Sequence, residues 1–279
     1  MPEPEGGAGL ATGVANVLDK SGVPNLLFGW LAIALLAKDE GLKDIDFVVN
    51  DHQVEVARDV LVRAGFKACT LETCPEMHEN RAHHLAEPGG FIAQHGLTPE
   101  AKAEWLATNS VHAIAAVHFH LDSQAQHFAI LSLFPKSQLL WWLPDLELRD
   151  PAPDDRNLTL TTNCQLPPTS ECSGPWIGFY PVKILTPIAL VEGLLTLTCR
   201  DVGHPRDLAN VWAEMAQTFM ELDAYITAGV AQEFKDLWNH LMARRPPGST
   251  VAKAYDRLIA TLLPAGRLPN HIPRRSSPP

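Results

Sequence analysis

From Asp51, a cap residue, to Ala64 the apolar residues Val54, Ala57, Val60 and Leu61 fall at helical spacing, and Gly65 follows. That spacing paints one apolar stripe on a helix, and a glycine just past it supplies the left-handed turn that closes it. Ahead of this helix, Asp44 to Val49 (DIDFVV) alternates and then runs apolar. Such a segment reads as a strand covered on one face. Val23 to Phe28 is a further strand that breaks at Gly29, and the Ala- and Leu-rich Trp30 to Ala37 reads as helix. Phe66 to Leu71, Ala115 to Asp122 and His127 to Phe134 are three more strand candidates. The last two are separated by a polar turn at Ser123-Gln-Ala-Gln.

The pattern then changes. Asp145 to Pro175 is rich in proline and poor in apolar residues, which predicts an irregular excursion over the surface. Beyond it the spacing is helical throughout. Thr186 caps and Pro187 takes the first position of a helix reaching Arg200. Pro205 opens a second helix, with Leu208, Val211, Trp212, Met215, Phe219 and Leu222 on one stripe. A third covers about 229–243 and a fourth about 250–263. The expected division is a disordered tail at 1–8, an α/β core at 9–145, the excursion at 146–180, a helical block at 181–263 and a proline-rich tail at 264–279. The fold class is α+β, with a small mixed sheet and a C-terminal helical block.

Composition fits a globular chain. Of 279 residues, 46% are apolar and 19% charged, enough to build a core. The longest uncharged run near the start, Ser21 to Ala37, is broken by Pro24 and Asn25 and is too short to cross a bilayer. The opening MPEPEGGAGL has no basic or hydrophobic segment, so no secretory leader is expected. Five cysteines, an odd number with no C-x-x-C pair, point to a reducing, cytoplasmic setting. Without secretion, the sequon at Asn157 carries no weight. A net charge of -10 argues against generic binding to nucleic-acid backbones.

Candidate chemistry gathers around Asp44 and Asp46. Two residues apart on a strand, they leave the same face, and a rigid carboxylate pair suits a divalent cation such as Mg²⁺. Gly29, at the end of the preceding strand, lets a phosphate approach the backbone where the next helix begins. The stretch FGWLAIALLAKDEGLKDIDFVV therefore resembles the nucleotidyltransferase superfamily, in its minimal stand-alone and abortive-infection-toxin branch. The family signature is a strand ending in Gly-Gly or Gly-Ser, a helix, and Asp-x-Asp on the next strand. A weaker similarity lies in PVKILTPIALVEGLLTLTCRDVGHPRDLANVW. The resemblance implies a nucleotidyltransferase-like sheet core and transfer from an NTP to a small-molecule, protein or RNA acceptor. It places Mg²⁺ on Asp44 and Asp46 and the nucleotide against Gly29, Trp30 and Lys43. Trp30 stands where the family carries a small residue. The third carboxylate of the family aligns with His118, and Asp122 lies on the same strand face, so either is expected to serve as general base.

Other features take plainer readings. Eight of the twelve histidines fall between 78 and 127. His118-x-His120 is the nearest thing there to a zinc motif, and scattered surface and half-buried histidines are the expected outcome. Cys69 and Cys74 read as structural. Trp141 and Trp142 read as core and rim, with base stacking as the functional alternative. Arg200, Arg206 and Asp207 offer either a phosphate grip or a solvated helix end. Two other function classes remain. One is a biosynthetic enzyme on the same scaffold, such as a tRNA-dependent cyclodipeptide synthase, whose Asp-Asp-x-x-Glu motif Asp154-Asp155 does not complete. The other is a non-catalytic ligand-binding protein.

Overall fold

The computed structural model of the chain describes residues 6–38, 44–71, 74, 77, 112–121, 130–202, 208–243 and 248–269. Six strands form one mixed sheet. They are β1 (Asn25–Phe28), β2 (Ile45–Val49), β3 (Val117–His120), β4 (Ile130–Pro135), β5 (Leu158–Leu160) and β6 (Lys183–Leu185), in the order β3-β4-β2-β1-β6-β5. β2 runs antiparallel to β1 and parallel to β4, while β1 runs parallel to β6. β3 and β5 are the antiparallel edges. Helices pack on this sheet and close the chain, so the α+β class holds.

The register explains the strand sequences. Leu27, Phe47, Leu133 and Val117 form one cross-strand row, and Ile45, Leu131 and Phe119 form another on the same face. Phe47, Leu131, Leu133 and Phe119 have no solvent exposure. Helices α1 (Gly6–Lys20) and α3 (Val54–Arg63) pack on each other and on β1 and β4, and Phe66 beyond α3 meets Phe119 edge to face at 6.1 Å. The alternate residues Phe28, Asp46, Ser132 and His118 occupy the opposite face. Helix α2 (Gly29–Leu36) follows β1 directly, and the short α4 (Lys136–Leu139) follows β4.

The helical block packs on that second face at β1 and β6. Helix α5 (Pro187–Asp201) begins as the sequence predicts: the Thr186 hydroxyl accepts a hydrogen bond from the Ala189 amide, and Pro187 opens the first turn. Helix α6 (Leu208–Gln217) sends Trp212 edge-on to Phe28, 6.5 Å between centroids. A 3₁₀ turn at Thr218–Leu222 leads into α7 (Asp223–Gly229), and α8 (Gln232–Met242) and α9 (Gly248–Leu262) follow. No helix among the described residues is long and apolar enough to cross a membrane.

Several boundaries differ from the sequence reading. Gly6–Ala8, assigned there to a disordered tail, begin α1, whose Ala11, Val14, Ala15 and Leu18 are wholly buried. The expected excursion contains β5, because the edge of β6 needs a hydrogen-bonding partner. Phe66 to Leu71 forms no strand. It lies along β3 through the Ala68–Phe119 bridge and the Cys69 amide's bond to the His118 carbonyl. Asp51 does not cap the following helix: its carboxylate accepts from the Ser137 amide at 2.9 Å, and a 3₁₀ turn at Asp51–Gln53 intervenes. The expected tail at 264 begins packed, with Leu268 buried and Arg267 paired with Glu233.

Candidate functional site

Gly29 has φ +73, a left-handed conformation that other residues adopt only at a cost. It turns the end of β1 straight into α2, whose N-cap residue, Phe28, supplies no side-chain cap. Asp46 sits opposite Phe28 on the neighbouring strand. A methyl group built on Gly29 would be driven into Asp46 Oδ2. The glycine thus does two things at once: it makes the turn, and it leaves room for a carboxylate against the first turn of α2. The positive end of the helix dipole favours a negative group there. Asp44 lies just before β2, and both carboxylates are half-buried.

Three strands meet in one row here. Asp46 pairs with Ser132 on β4, and Ser132 pairs with His118 on β3. The strand adjoining Asp46 therefore presents a buried serine at this level rather than a carboxylate. His118 stands a second strand away, roughly 10 Å from Asp46 by ordinary strand spacing.

His118 keeps other company. Its Nε2 lies 3.3 Å from Cys74 Sγ, and Nε2 of His120 lies 3.4 Å from the same sulfur. The ligand atoms of Cys69, Cys74, His118 and His120 all fall within 4.8 Å of one another. The two imidazoles stand edge to face, 5.2 Å between centroids. Cys74 and His118 are buried, while Cys69 and His120 are half-buried. Two local features build this cluster. The Cys69 amide donates to the His118 carbonyl at 2.9 Å, fixing the segment after α3 alongside β3. The Cys74 amide donates to the Leu71 carbonyl at 3.0 Å, a turn that brings the second thiol back. Sequence reasoning weighed the histidines and the cysteines separately and missed their meeting. The usable signal was His118-x-His120 on one strand face, together with two cysteines five residues apart.

Other candidates find structural employment. Arg200 donates to both carboxylate oxygens of Asp201 at 2.7 and 2.8 Å and to the Gln138 carbonyl, and lies over the Trp141 ring at 5.3 Å. Asp201 also accepts from Trp212 Nε1 at 2.7 Å. This arginine braces the helical block. Trp141 donates to the Arg267 carbonyl, and Trp142 fills the space over Gly193. Asp155 accepts from the Asn157 and Leu158 amides and shapes the turn into β5. Trp30 packs against the core at the start of α2. Lys43, Asp122, Arg206 and Asp207 lie outside the described residues, as do the histidines from 78 to 95 and His127.

Comparison of the chain with protein-family models, with curated proteins and with solved structures finds no match.

Proposed function

We propose that the chain is a nucleotidyltransferase-like enzyme that binds an NTP with Mg²⁺ at Asp44 and Asp46 and passes the nucleotidyl group to a small-molecule, protein or RNA acceptor. One observation carries this reading: Gly29, left-handed at the junction of β1 and α2, packs directly against Asp46 of the antiparallel neighbour. That is the strand–glycine–helix–strand order the resemblance calls for, supported by close packing as well as by sequence order.

The donors fit the ion. Two hard carboxylates, two residues apart and open to solvent on one side, suit Mg²⁺, which keeps several waters and takes phosphate oxygens as further ligands. Bound there, Mg²⁺ supplies neutralisation of phosphate charge. Asp44 and Asp46 hold the nucleotide's phosphates through it, and the backbone at Gly29 and Trp30 offers amide donors at the first turn of α2. In the transfer step the acceptor oxygen bonds to the α-phosphorus. The bond from that phosphorus to the bridging oxygen breaks, and pyrophosphate leaves with the electron pair. The acceptor proton needs a base; with His118 beside Cys74, Asp122 is the remaining sequence candidate.

A second reading has its own support. The buried Ser132 opposite Asp46, with His118 turned to Cys74, favours a scaffold that binds nucleotide without transferring it. One experiment addresses both. With Mg²⁺-NTP at a hundred times its dissociation constant, native-state binding raises stability by roughly 2.7 kcal/mol. That corresponds to a melting shift on the order of 5–10 °C for a chain of this size. Asp44→Asn and Asp46→Asn are expected to remove most of the shift, measured against each variant's own apo melting point. A wild-type protein indifferent to every NTP with Mg²⁺ rejects both readings. A shift without pyrophosphate release, across small-molecule, protein and RNA acceptors, selects the second.

A further inference from the structure

We propose that Cys69, Cys74, His118 and His120 form a tetrahedral zinc site that clasps the segment after α3 to the edge strand β3. The site is separate from the carboxylate pair, and its donors belong to a different class. Two thiols and two imidazoles match Zn²⁺, whereas Mg²⁺ and Ca²⁺ take oxygen.

Distances support the assignment. With Zn–S near 2.3 Å and Zn–N near 2.05 Å, a tetrahedral S···N edge is about 3.6 Å. The two edges from Cys74 Sγ measure 3.3 and 3.4 Å, and every pair of ligand atoms lies within 4.8 Å. Four donors thus already surround one point, and small rotations of the side chains complete the coordination. All four positions belong to the protein, and Cys74 and His118 are buried. A closed set of this kind is structural, since a catalytic zinc keeps one position for water or substrate.

The topology shows what the clasp is for. β3 is a four-residue edge strand, and among the described residues its outer side is held by the bridge at Ala68 and the Cys69 amide. So few hydrogen bonds hold an edge weakly. A metal joining residues 69 and 74 to residues 118 and 120 closes a long loop across that edge. The binding free energy of such a site becomes folding free energy. His118 and His120, two apart on one strand face, supply adjacent corners, and Phe119 between them anchors the strand in the core on the other side.

The test is metal content of the full-length chain, purified without chelator. About one zinc per chain is expected, displaced stoichiometrically by an organomercurial that captures the thiolates. Cobalt(II) in its place should give thiolate-to-metal charge-transfer absorption and the intense visible bands of tetrahedral coordination. Cys74→Ser and His120→Ala should lose the zinc, while Cys164→Ser and Cys172→Ser should keep it. If the ligand variants do not fold, the mercurial titration and cobalt spectrum of the wild type still decide. Strong chelation should lower the melting point on the order of 10 °C. Zinc at background with no charge-transfer band on cobalt addition overturns the site. So does zinc that persists in both ligand variants, or a Cys69–Cys74 disulfide found by mass mapping. None of these outcomes depends on nucleotide or on Asp44 and Asp46.

Discussion

Asn50 shows how one side chain can stand in for a strand. Directly after β2, it donates from Nδ2 to the Leu146 carbonyl at 3.0 Å and accepts from the Leu146 amide at 2.9 Å. An amide side chain presents the same donor and acceptor as a peptide group, so it closes a two-bond pair where no strand continues. Asn50 and Leu146 are both buried, and water cannot replace the bonds. Asn50→Ala should cost about 2–4 kcal/mol, because two backbone groups lose their partners together. Asn50→Asp keeps the acceptor, loses the donor and adds a buried charge, so it should also destabilise. The midpoint of urea unfolding at unchanged slope measures both. If the alanine variant lost less than about 0.5 kcal/mol, the paired bonds would not be holding this segment.

Among the elements, α5 is the spine of the C-terminal block, contacting α6, α7, α8 and α9. Its N-terminus is doubly secured. The Thr186 hydroxyl accepts from the Ala189 amide at 3.2 Å and donates to the Arg156 carbonyl at 2.7 Å. One hydroxyl therefore caps the helix and ties it to the loop before β5. Near the first turn, Glu192 ties in two neighbours: it accepts from Arg156 at 2.8 Å and from the Ala231 amide, which opens α8, at 2.7 Å. Thr186→Ala should cost about 1–2 kcal/mol. The melting point should fall by roughly 2–4 °C for each kcal/mol. Thr186→Ser should recover most of the loss, because the hydroxyl rather than the methyl makes both bonds. Equal melting points for the alanine and wild-type proteins would show that Pro187 alone starts the helix.

For the whole molecule, buried and half-buried titratable groups set the pH range of stability. Burial pushes the Tyr255 phenol up to about 12, with the nearby Cys199 adding to the effect. Burial and the hydrogen bond donated to Asp19 push Tyr180 up to about 12 as well. Burial also raises the Cys199 thiol strongly. In each case the folded state holds its proton more tightly than the unfolded chain, whose tyrosines titrate near 10.0. For the tyrosines the stabilisation is complete below pH 10 and is lost as pH rises toward 12; for Cys199, ordinarily 9.0, the loss begins there. Asp19 has the same sign at the acid end: burial raises it despite the pull of Lys183, so its contribution declines as pH rises from its ordinary 3.8. Unfolding free energy should therefore fall steeply between pH 10 and 12, and Tyr255→Phe should make that fall shallower. An unchanged slope in Tyr255→Phe would show that this phenol ionises as freely folded as unfolded.

Local patterns were enough to place much of the frame. The helical stripe of α3 with Gly65 at φ +101, the Thr186-Pro187 start of α5 and the apolar stripes of α6 and α8 all lie within reach of a few neighbouring residues. Backbone sterics and capping act at that range, so sequence alone fixes them. Gly29 before Asp46 was legible for the same reason, as a strand end followed by a helix. Helix α1 was overlooked because its glycines weaken helix propensity, although packing of Ala11, Val14, Ala15 and Leu18 overrides them. β5 went unread because a strand of three residues has almost no period of its own and exists through its pairing with β6. Tertiary structure alone decided the rest. Strand order placed β4, rather than β3, beside β2, and so set Ser132 instead of His118 next to Asp46. The fold also carried His118 and His120 across more than forty residues of chain to Cys69 and Cys74. No local spacing encodes that meeting, because it depends on which edge β3 takes and on the one bridge that aligns Ala68 with Phe119.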